Sequence, residues 1–272
     1  MDAFADAEVA ERFVVAHYGS LRGRVRTHVI DAHLRAELAP PPLTVVDVGG
    51  GGGNQSLPLA QDGYHVTIVD PSPAMLERAE ARVTAAARAG AGADTGSDAD
   101  PDADLADRVR LVGSAGEQAP DVLGGERFGA LLCHGVLPYL DEPEPLVDAL
   151  CRLAAPGGLV SIVAKNVETM AVRPVLEGDW AGALAAFDAE RQVNGLGLDT
   201  RGDHVDDLSA LLAARGVEPV GWFGVRLFTE WIPERPSTDP DELVLRVELE
   251  ASRRDPYRRL SRLFHLLARA RP

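Results

Sequence analysis

The chain is short of lysine, of cysteine and of long apolar runs, and each shortage excludes something. Among 27 basic residues Lys165 is the one lysine. With alanine so abundant, that pattern reads as GC-rich codon usage, so arginine content alone does not announce a nucleic-acid partner. The two cysteines, Cys133 and Cys151, sit in apolar runs and lack metal-ligand spacing. They read as buried small hydrophobes in a reducing compartment, and no metal ligands are expected. No apolar stretch approaches the ~20 residues that span a bilayer, so no membrane partner is expected. The opening segment MDAFADAEVAERFVV is acidic first, not basic and then apolar, which predicts a cytoplasmic protein without a secretory signal.

What is present is ordinary globular material: 272 residues, 46% hydrophobic and 25% charged, enough to bury a sizeable core as one domain. The net charge of −15 is uneven. Residues 91–107 hold six aspartates and no base in a Gly/Ala/Pro setting, the signature of a solvated loop. Residues 246–271 hold eight arginines against three acids, and residues 17–26 add Arg22, Arg24 and Arg26. A uniformly acidic surface repels nucleic acid; this one need not.

Residues 6–38 show helical periodicity, broken around Gly19–Gly23 and ended by three prolines after Ala39. Short buried strands follow at 44–48, 65–69, 109–112, 128–133 and 159–164, with helices between them; Ser72 and Pro73 open one of these. Residues 167–204 show no sheet pattern and read as a helical insertion. A helix over 205–215, a strand over 218–228, a helix over 240–253 and a final strand or helix over 260–269 complete the chain. Alternation of strands and helices predicts an α/β fold with a doubly wound, mostly parallel sheet. The expected organisation is a helical cap over 1–40, a core over 41–166, a substrate-side insertion over 167–204 and the rest of the sheet over 205–272.

In open α/β sheets ligands bind beyond the carboxyl ends of the strands, where the chain order reverses. The first strand runs into Asp47-Val-Gly49-Gly50-Gly51-Gly-Gly53, a turn that lets a ligand touch backbone. A dinucleotide fingerprint needs glycines at i, i+2 and i+5. From Gly49 the last position falls on Asn54, and from Gly50 on Gln55, so an NAD-dependent oxidoreductase is disfavoured. G-x-G-x-G after an acid suits S-adenosylmethionine, which has no pyrophosphate to seat. Asp70, 21 residues after Gly49 at the end of the second strand, is placed to accept ribose hydroxyl protons.

Asp47–Gly53, Asp70-Pro-Ser72-Pro-Ala-Met75 and Ala155-Pro-Gly157-Gly158 resemble the successive motifs of class I S-adenosylmethionine-dependent methyltransferases, which implies a seven-stranded Rossmann-like sheet. Within that superfamily the chain resembles the tRNA 5-carboxymethoxyuridine methyltransferases. The matching segments are Tyr18-Gly19 with Gly23 and Arg26, His134 with Val136-Leu137, Asn166, Gly178 with its acidic-aromatic pair, Gly224-Val225-Arg226 with Phe228, Glu248-Leu249-Glu250, Pro256-Tyr257 and His265. Pro138 and Lys165 stand where that family carries aromatics.

The resemblance implies that Arg26 clamps the methionine carboxylate of the cofactor, a pairing a guanidinium makes well. It implies that Asp47, Gly49, Gly50 and Gly51 pass the methionine part, that Asp70 holds the ribose, that Gly116 and Glu117 flank the adenine, and that His134 faces the sulfonium. An acceptor carboxylate is already ionised at neutral pH, so no catalytic acid or base is expected. Arg226, Lys165, Arg173 and Arg201 are candidates to hold that carboxylate, with Asn166 beside it and Tyr18 closing over. The expected acceptor is a wobble-uridine carboxylate in tRNA. The acidic balance and the poorly matching insertion leave a small-molecule carboxyl or hydroxyl acceptor open, and a non-catalytic S-adenosylmethionine-binding regulator is a third reading.

Overall fold

The computed structural model describes residues 20–90, 103–232 and 242–272. Tyr18, the first half of the predicted N-terminal helix and most of the acidic loop lie outside the described residues.

Helix α1 (Leu21–Glu37) begins at Ser20, whose Oγ accepts a hydrogen bond from Gly23 N at 3.1 Å, satisfying a donor that the first helical turn cannot. Strand β1 (Thr44–Val48) leads through the glycine bend to helix α2 (Ser56–Gln61), strand β2 (His65–Asp70) and helix α3 (Pro73–Gly90). A short helix α4 (Ala103–Asp107) then precedes β3 (Val109–Gly113), so the end of the stretch expected to be loop is helical. Helix α5 (Ala119–Val122), β4 (Phe128–His134), α6 (Glu144–Leu153) and β5 (Ala154–Lys165) complete the first half.

Beyond β5 come α7 (Val172–Glu177), α8 (Trp180–Ala186), β6 (Arg191–Val193), β7 (Asp199–Arg201), α9 (Val205–Ala213), β8 (Val217–Val225), α10 (Phe228–Trp231), α11 (Glu242–Ala251) and β9 (Leu263–Ala270). The seven-stranded sheet has the order β3-β2-β1-β4-β5-β9-β8. Strands β1 to β5 pair in parallel, while β9 runs antiparallel between β5 and β8. The final segment is therefore a strand. Its central residues Phe264–Ala268 are buried as a strand covered on both faces requires.

The sheet buries alternate residues on its two faces. Val46, Val48, Leu131 and Cys133 pack with Leu146, Leu150 and Leu153 of α6 on one side. Val45, Ile68, Ala130 and Leu132 pack with Leu34 of α1 on the other.

The insertion departs from expectation: β6 and β7 form a two-stranded antiparallel hairpin within 167–204. Arg-Gln-Val and Asp-Thr-Arg are too short and too polar to show a period-two apolar pattern. The turn is made by Asn194, whose Oδ1 accepts from Leu196 N and Leu198 N at 2.9 and 3.1 Å. Among the described residues no helix is long and apolar enough to cross a membrane.

Candidate functional site

The chain order reverses between β1 and β4, and a cavity of about 370 Å³ opens there at the carboxyl ends of the strands. Gly49, Gly50, Gly51, Asp70, Gly116, Glu117 and His134 all line it. Asp47 does not. It lies beneath the bend, with Oδ2 accepting from Ser56 Oγ at 2.6 Å. A Cβ on Gly50 would meet its carboxyl at 2.7 Å. Burial pushes the Asp47 carboxyl up to about 6, opposed by the Ser56 hydroxyl and reinforced by Asp70. Asp47 thus packs the glycine bend from below.

Gly49 has φ 72°, a left-handed conformation, and a Cβ there would fall 2.2 Å from Val136 Cγ2. The bend must therefore present bare backbone to the cavity. Asp70 reaches it directly: Oδ2 accepts from Gly51 N at 2.9 Å, and Oδ1 from Ser72 N at 2.9 Å. Burial raises its pKa while these two N–H groups oppose the shift. Each carboxylate oxygen has a second lone pair for a ligand hydroxyl. Met75, Val136, Leu140 and Leu146 supply apolar walls. A glycine floor, an acid at the β2 edge and an apolar slot beside Gly116 and Glu117 match the methionine, ribose and adenine parts of S-adenosylmethionine in turn.

A second chamber of about 280 Å³ adjoins the first, with Gly135 and Tyr139 lining both. Arg26 lines the second chamber and stands at the junction. It is 5% exposed, and its Nη2 donates to His134 O at 3.2 Å. Arg22, Lys165, Arg173, Arg226 and Arg262 also line this chamber, and Glu230 is the acid among its lining residues. Arg173 Nη2 donates to Glu230 Oε1 at 2.6 Å, Arg226 pairs with Oε2, and Arg262 Nε lies 3.9 Å from Oε1. Burial works against ionisation of Glu230, but Arg226, Arg262, Arg173 and Arg22 outweigh it and hold the carboxyl below its ordinary range. Burial lowers Arg226, and it lowers Arg262 to about 10, yet both remain cationic at neutral pH. Arg173 Nε, Arg226 Nε and Arg262 Nη1 are buried without a partner among the described residues. Five arginines, with Lys165 beside them, against one carboxylate leave strong attraction for an incoming anion.

Lys165 is 4% exposed and donates to Thr200 O at 3.2 Å and Thr200 Oγ1 at 3.0 Å. Burial, then Arg262, lowers its ammonium to about 7. Two expected neighbours are elsewhere. Asn166 Nδ2 donates to Arg259 O and Ser261 O at 2.9 and 3.0 Å, while its Oδ1 accepts from Glu168 N. That side chain secures the 259–261 segment and does not line the chamber. Arg201 pairs with Asp203 at 2.9 Å and lines a separate cavity. Along a strand successive side chains alternate sides, so Thr200 meets Lys165 and Arg201 points away. Arg22, Arg262 and Glu230 went unnamed as site residues; the arginines sit in basic segments, while Glu230 carries no sequence signal.

Fold and site together are those of an S-adenosylmethionine-dependent methyltransferase. A methyltransferase-domain family model matches residues 46–162. Along nearly its full length the chain is similar to the tRNA 5-carboxymethoxyuridine methyltransferase of Escherichia coli K12, 25% identical over 96% of this chain and 94% of that one. A ubiquinone biosynthesis O-methyltransferase of Methylobacterium is 30% identical over 58% of this chain and 55% of its own. Among solved structures, magnesium protoporphyrin IX methyltransferase from Synechocystis with bound S-adenosylhomocysteine shares the fold at TM-score 0.59 and 17% identity, covering 99% of this chain and 96% of that one.

Proposed function

We propose that this enzyme transfers a methyl group from S-adenosylmethionine to the carboxylate of a 5-carboxymethoxyuridine in tRNA. The observation that carries the reading is the arginine-rich chamber abutting the cofactor cavity; the full-length similarity to an enzyme of that name supports it. Arg26 grips the methionine carboxylate, Gly49, Gly50 and Gly51 offer backbone to the methionine part, Asp70 takes the ribose hydroxyls, and Gly116 and Glu117 flank the adenine. Asp47 holds the bend that makes this possible. The bound cofactor supplies a methyl carbon activated by its positive sulfur. Arg226, Arg173, Arg262 and Lys165 hold the acceptor carboxylate, which needs no general base because it is ionised at neutral pH. Their task is orientation, worth about 7–11 kcal/mol in well-aligned cases. The chain works as one methyltransferase domain, with 1–40 as cap and 167–204 as substrate-side insertion, and a tRNA acceptor puts it in the cytoplasm.

Labelled S-adenosylmethionine, enzyme and tRNA carrying unesterified carboxymethoxyuridine should give tRNA-bound label that mild alkali releases. Absence of transfer to that tRNA sinks the reading. A small-molecule carboxylic acid is the second reading, favoured by the modest chamber volume of about 280 Å³ and the net charge of −15. It predicts turnover of a free acid that salt barely affects, whereas tRNA turnover should fall steeply with salt.

A further inference from the structure

Arg226 follows β8 with φ 62°, and apart from glycines it alone among the described residues has a left-handed backbone. A bulky side chain avoids that region and is found there where its surroundings enforce it. Here the enforcement falls on one peptide unit. The Arg226 carbonyl accepts from Arg262 N at 3.1 Å, and across the same peptide Leu227 N donates to Glu248 Oε2 at 2.9 Å. The second oxygen, Glu248 Oε1, accepts from Thr229 N at 2.6 Å and from Thr229 Oγ1 at 2.7 Å. Backbone donors at the opening of a helix such as α10 have no partner within it, and Leu227 offers no side-chain cap. Arg22 of α1 holds the far end, with Nε donating to Thr229 O at 2.9 Å and Nη2 to Ile232 O at 3.0 Å.

Glu248 sits on α11, is 2% exposed and does not line the arginine-rich chamber. What it holds does. Arg226 and Glu230 stand on either side of the clamped residues, pair with each other, and both line the chamber. Because β8 is fixed by its pairing with β9, a change of φ at Arg226 swings the 226–227 peptide. That swing pulls the carbonyl off Arg262 and the N–H off Glu248. A carboxylate can meet all three donors with its two oxygens, whereas a glutamine amide has one accepting oxygen and must turn its NH2 toward a donor. We infer that Glu248 is a positioning residue for the acceptor anion site: it locks Arg226 in the left-handed conformation and so fixes where the guanidinium meets the acceptor carboxylate. The inference rests on the proposal that this chamber holds that carboxylate.

The test is a double-mutant cycle between Glu248→Gln and Arg226→Met, read on labelled methyl transfer to tRNA carrying unesterified carboxymethoxyuridine. Glu248→Gln should raise acceptor KM about tenfold, the scale of a misplaced hydrogen bond to a charged group, with kcat and S-adenosylhomocysteine affinity within about twofold. In the Arg226→Met background the same substitution should raise KM no more than about threefold, because the group it positions is gone. A tenfold rise in both backgrounds, or a lowered Tm with KM unchanged, overturns the role. A second measurement needs no acceptor. Glycine takes φ 62° freely and alanine does not, so Arg226→Gly should be more stable to urea than Arg226→Ala. With Glu248→Gln added to each, the alanine can relax, and the gap should shrink to less than about half. A gap of equal size with and without Glu248→Gln overturns the clamp. Should Glu248→Gln fail to fold, Glu248→Asp, one methylene shorter and unable to reach both sides of the turn, takes its place in both comparisons. If the wild type transfers no methyl group to that tRNA, the proposed function has failed, and the glycine–alanine comparison still decides whether Glu248 fixes Arg226.

Discussion

Asp70 Oδ2 and Gly51 N are hydrogen-bonded at 2.9 Å, which ties the end of β2 to the glycine bend after β1. One carboxylate thus shapes the bend and faces the cavity with its remaining lone pairs. On the proposed function the same carboxylate positions the bend and takes the ribose, and its bonds to the bend are already made without a ligand. Asp70→Asn keeps the shape but can accept at one atom only. S-adenosylhomocysteine affinity should fall about 10- to 100-fold, the scale of a hydrogen bond to a charged group, and Tm should fall with it, because the amide NH2 has to face either Gly51 N–H or Ser72 N–H. Calorimetry on the variant measures it, and unaltered affinity would remove Asp70 from the site.

The bend itself can be tested against a control. Gly49→Ala meets both a φ of 72° and a Cβ position 2.2 Å from Val136 Cγ2, whereas Gly124, at φ 63°, has nothing within 4 Å. Left-handed backbone costs an alanine about 1–2 kcal/mol in either case. Gly124→Ala should lose that much stability and keep cofactor binding. Gly49→Ala should lose binding as well, because Val136 or the bend has to move into the cavity.

Much of this was legible in the sequence, for a definite reason. The glycine bend, Asp70 and the strands around them are local: a few adjacent residues demand one backbone path, and the class I motifs lie in chain order. The acceptor chamber is not local. Arg22 comes from α1, Arg173 from α7, Arg226 from the end of β8 and Arg262 from the start of β9. No window of sequence contains them together, and Glu230, which gathers three of them, looks like any surface acid. Asn166 and Arg201 lie off the chamber because residues next in sequence to Lys165 and Thr200 fall on the opposite side of a strand end.

Glu230 is 4% exposed among Arg173, Arg226 and Arg262. Glu230→Gln leaves those guanidinium groups without their counter-charge, and removing one partner of a buried ion pair costs about 3–5 kcal/mol. A urea midpoint lowered with an unchanged m-value is expected. The folded carboxyl is held below its unfolded value, so its contribution is full above the unfolded value and is lost as pH falls through the folded one. The stability gap between wild type and variant should therefore persist at pH 7 and close only in acid below the ordinary carboxylate range.

Asp47 has the opposite sign. Its folded value of about 6 lies above the unfolded value of about 3.9. Between the two the unfolded chain has already released a proton that the folded chain retains, so ionisation favours unfolding as pH rises. The cost accumulates to about 3 kcal/mol by neutral pH. Asp47→Asn, which can still accept from Ser56 Oγ, should flatten stability between pH 4 and 6 relative to wild type. Parallel urea curves for the two proteins across that window would refute the buried, reluctant carboxylate.

Lys165 lines the proposed acceptor chamber with its ammonium lowered to about 7, so its charge changes near neutral pH. Below that pH it adds a cation to the arginines; above it, a neutral amine remains hydrogen-bonded to Thr200. An anionic acceptor should therefore bind more weakly as pH rises, and kcat/KM for the acceptor should fall through about pH 7, while cofactor affinity stays level because Lys165 does not line that cavity. Lys165→Met should lower kcat/KM at pH 6 severalfold and erase the fall near pH 7, leaving the arginines as the residual anion hold. A wild-type profile level from pH 6 to 8 would mean that Lys165 only ties β5 to the hairpin, through its two hydrogen bonds to Thr200. Lys165→Met should then lower Tm without changing acceptor KM.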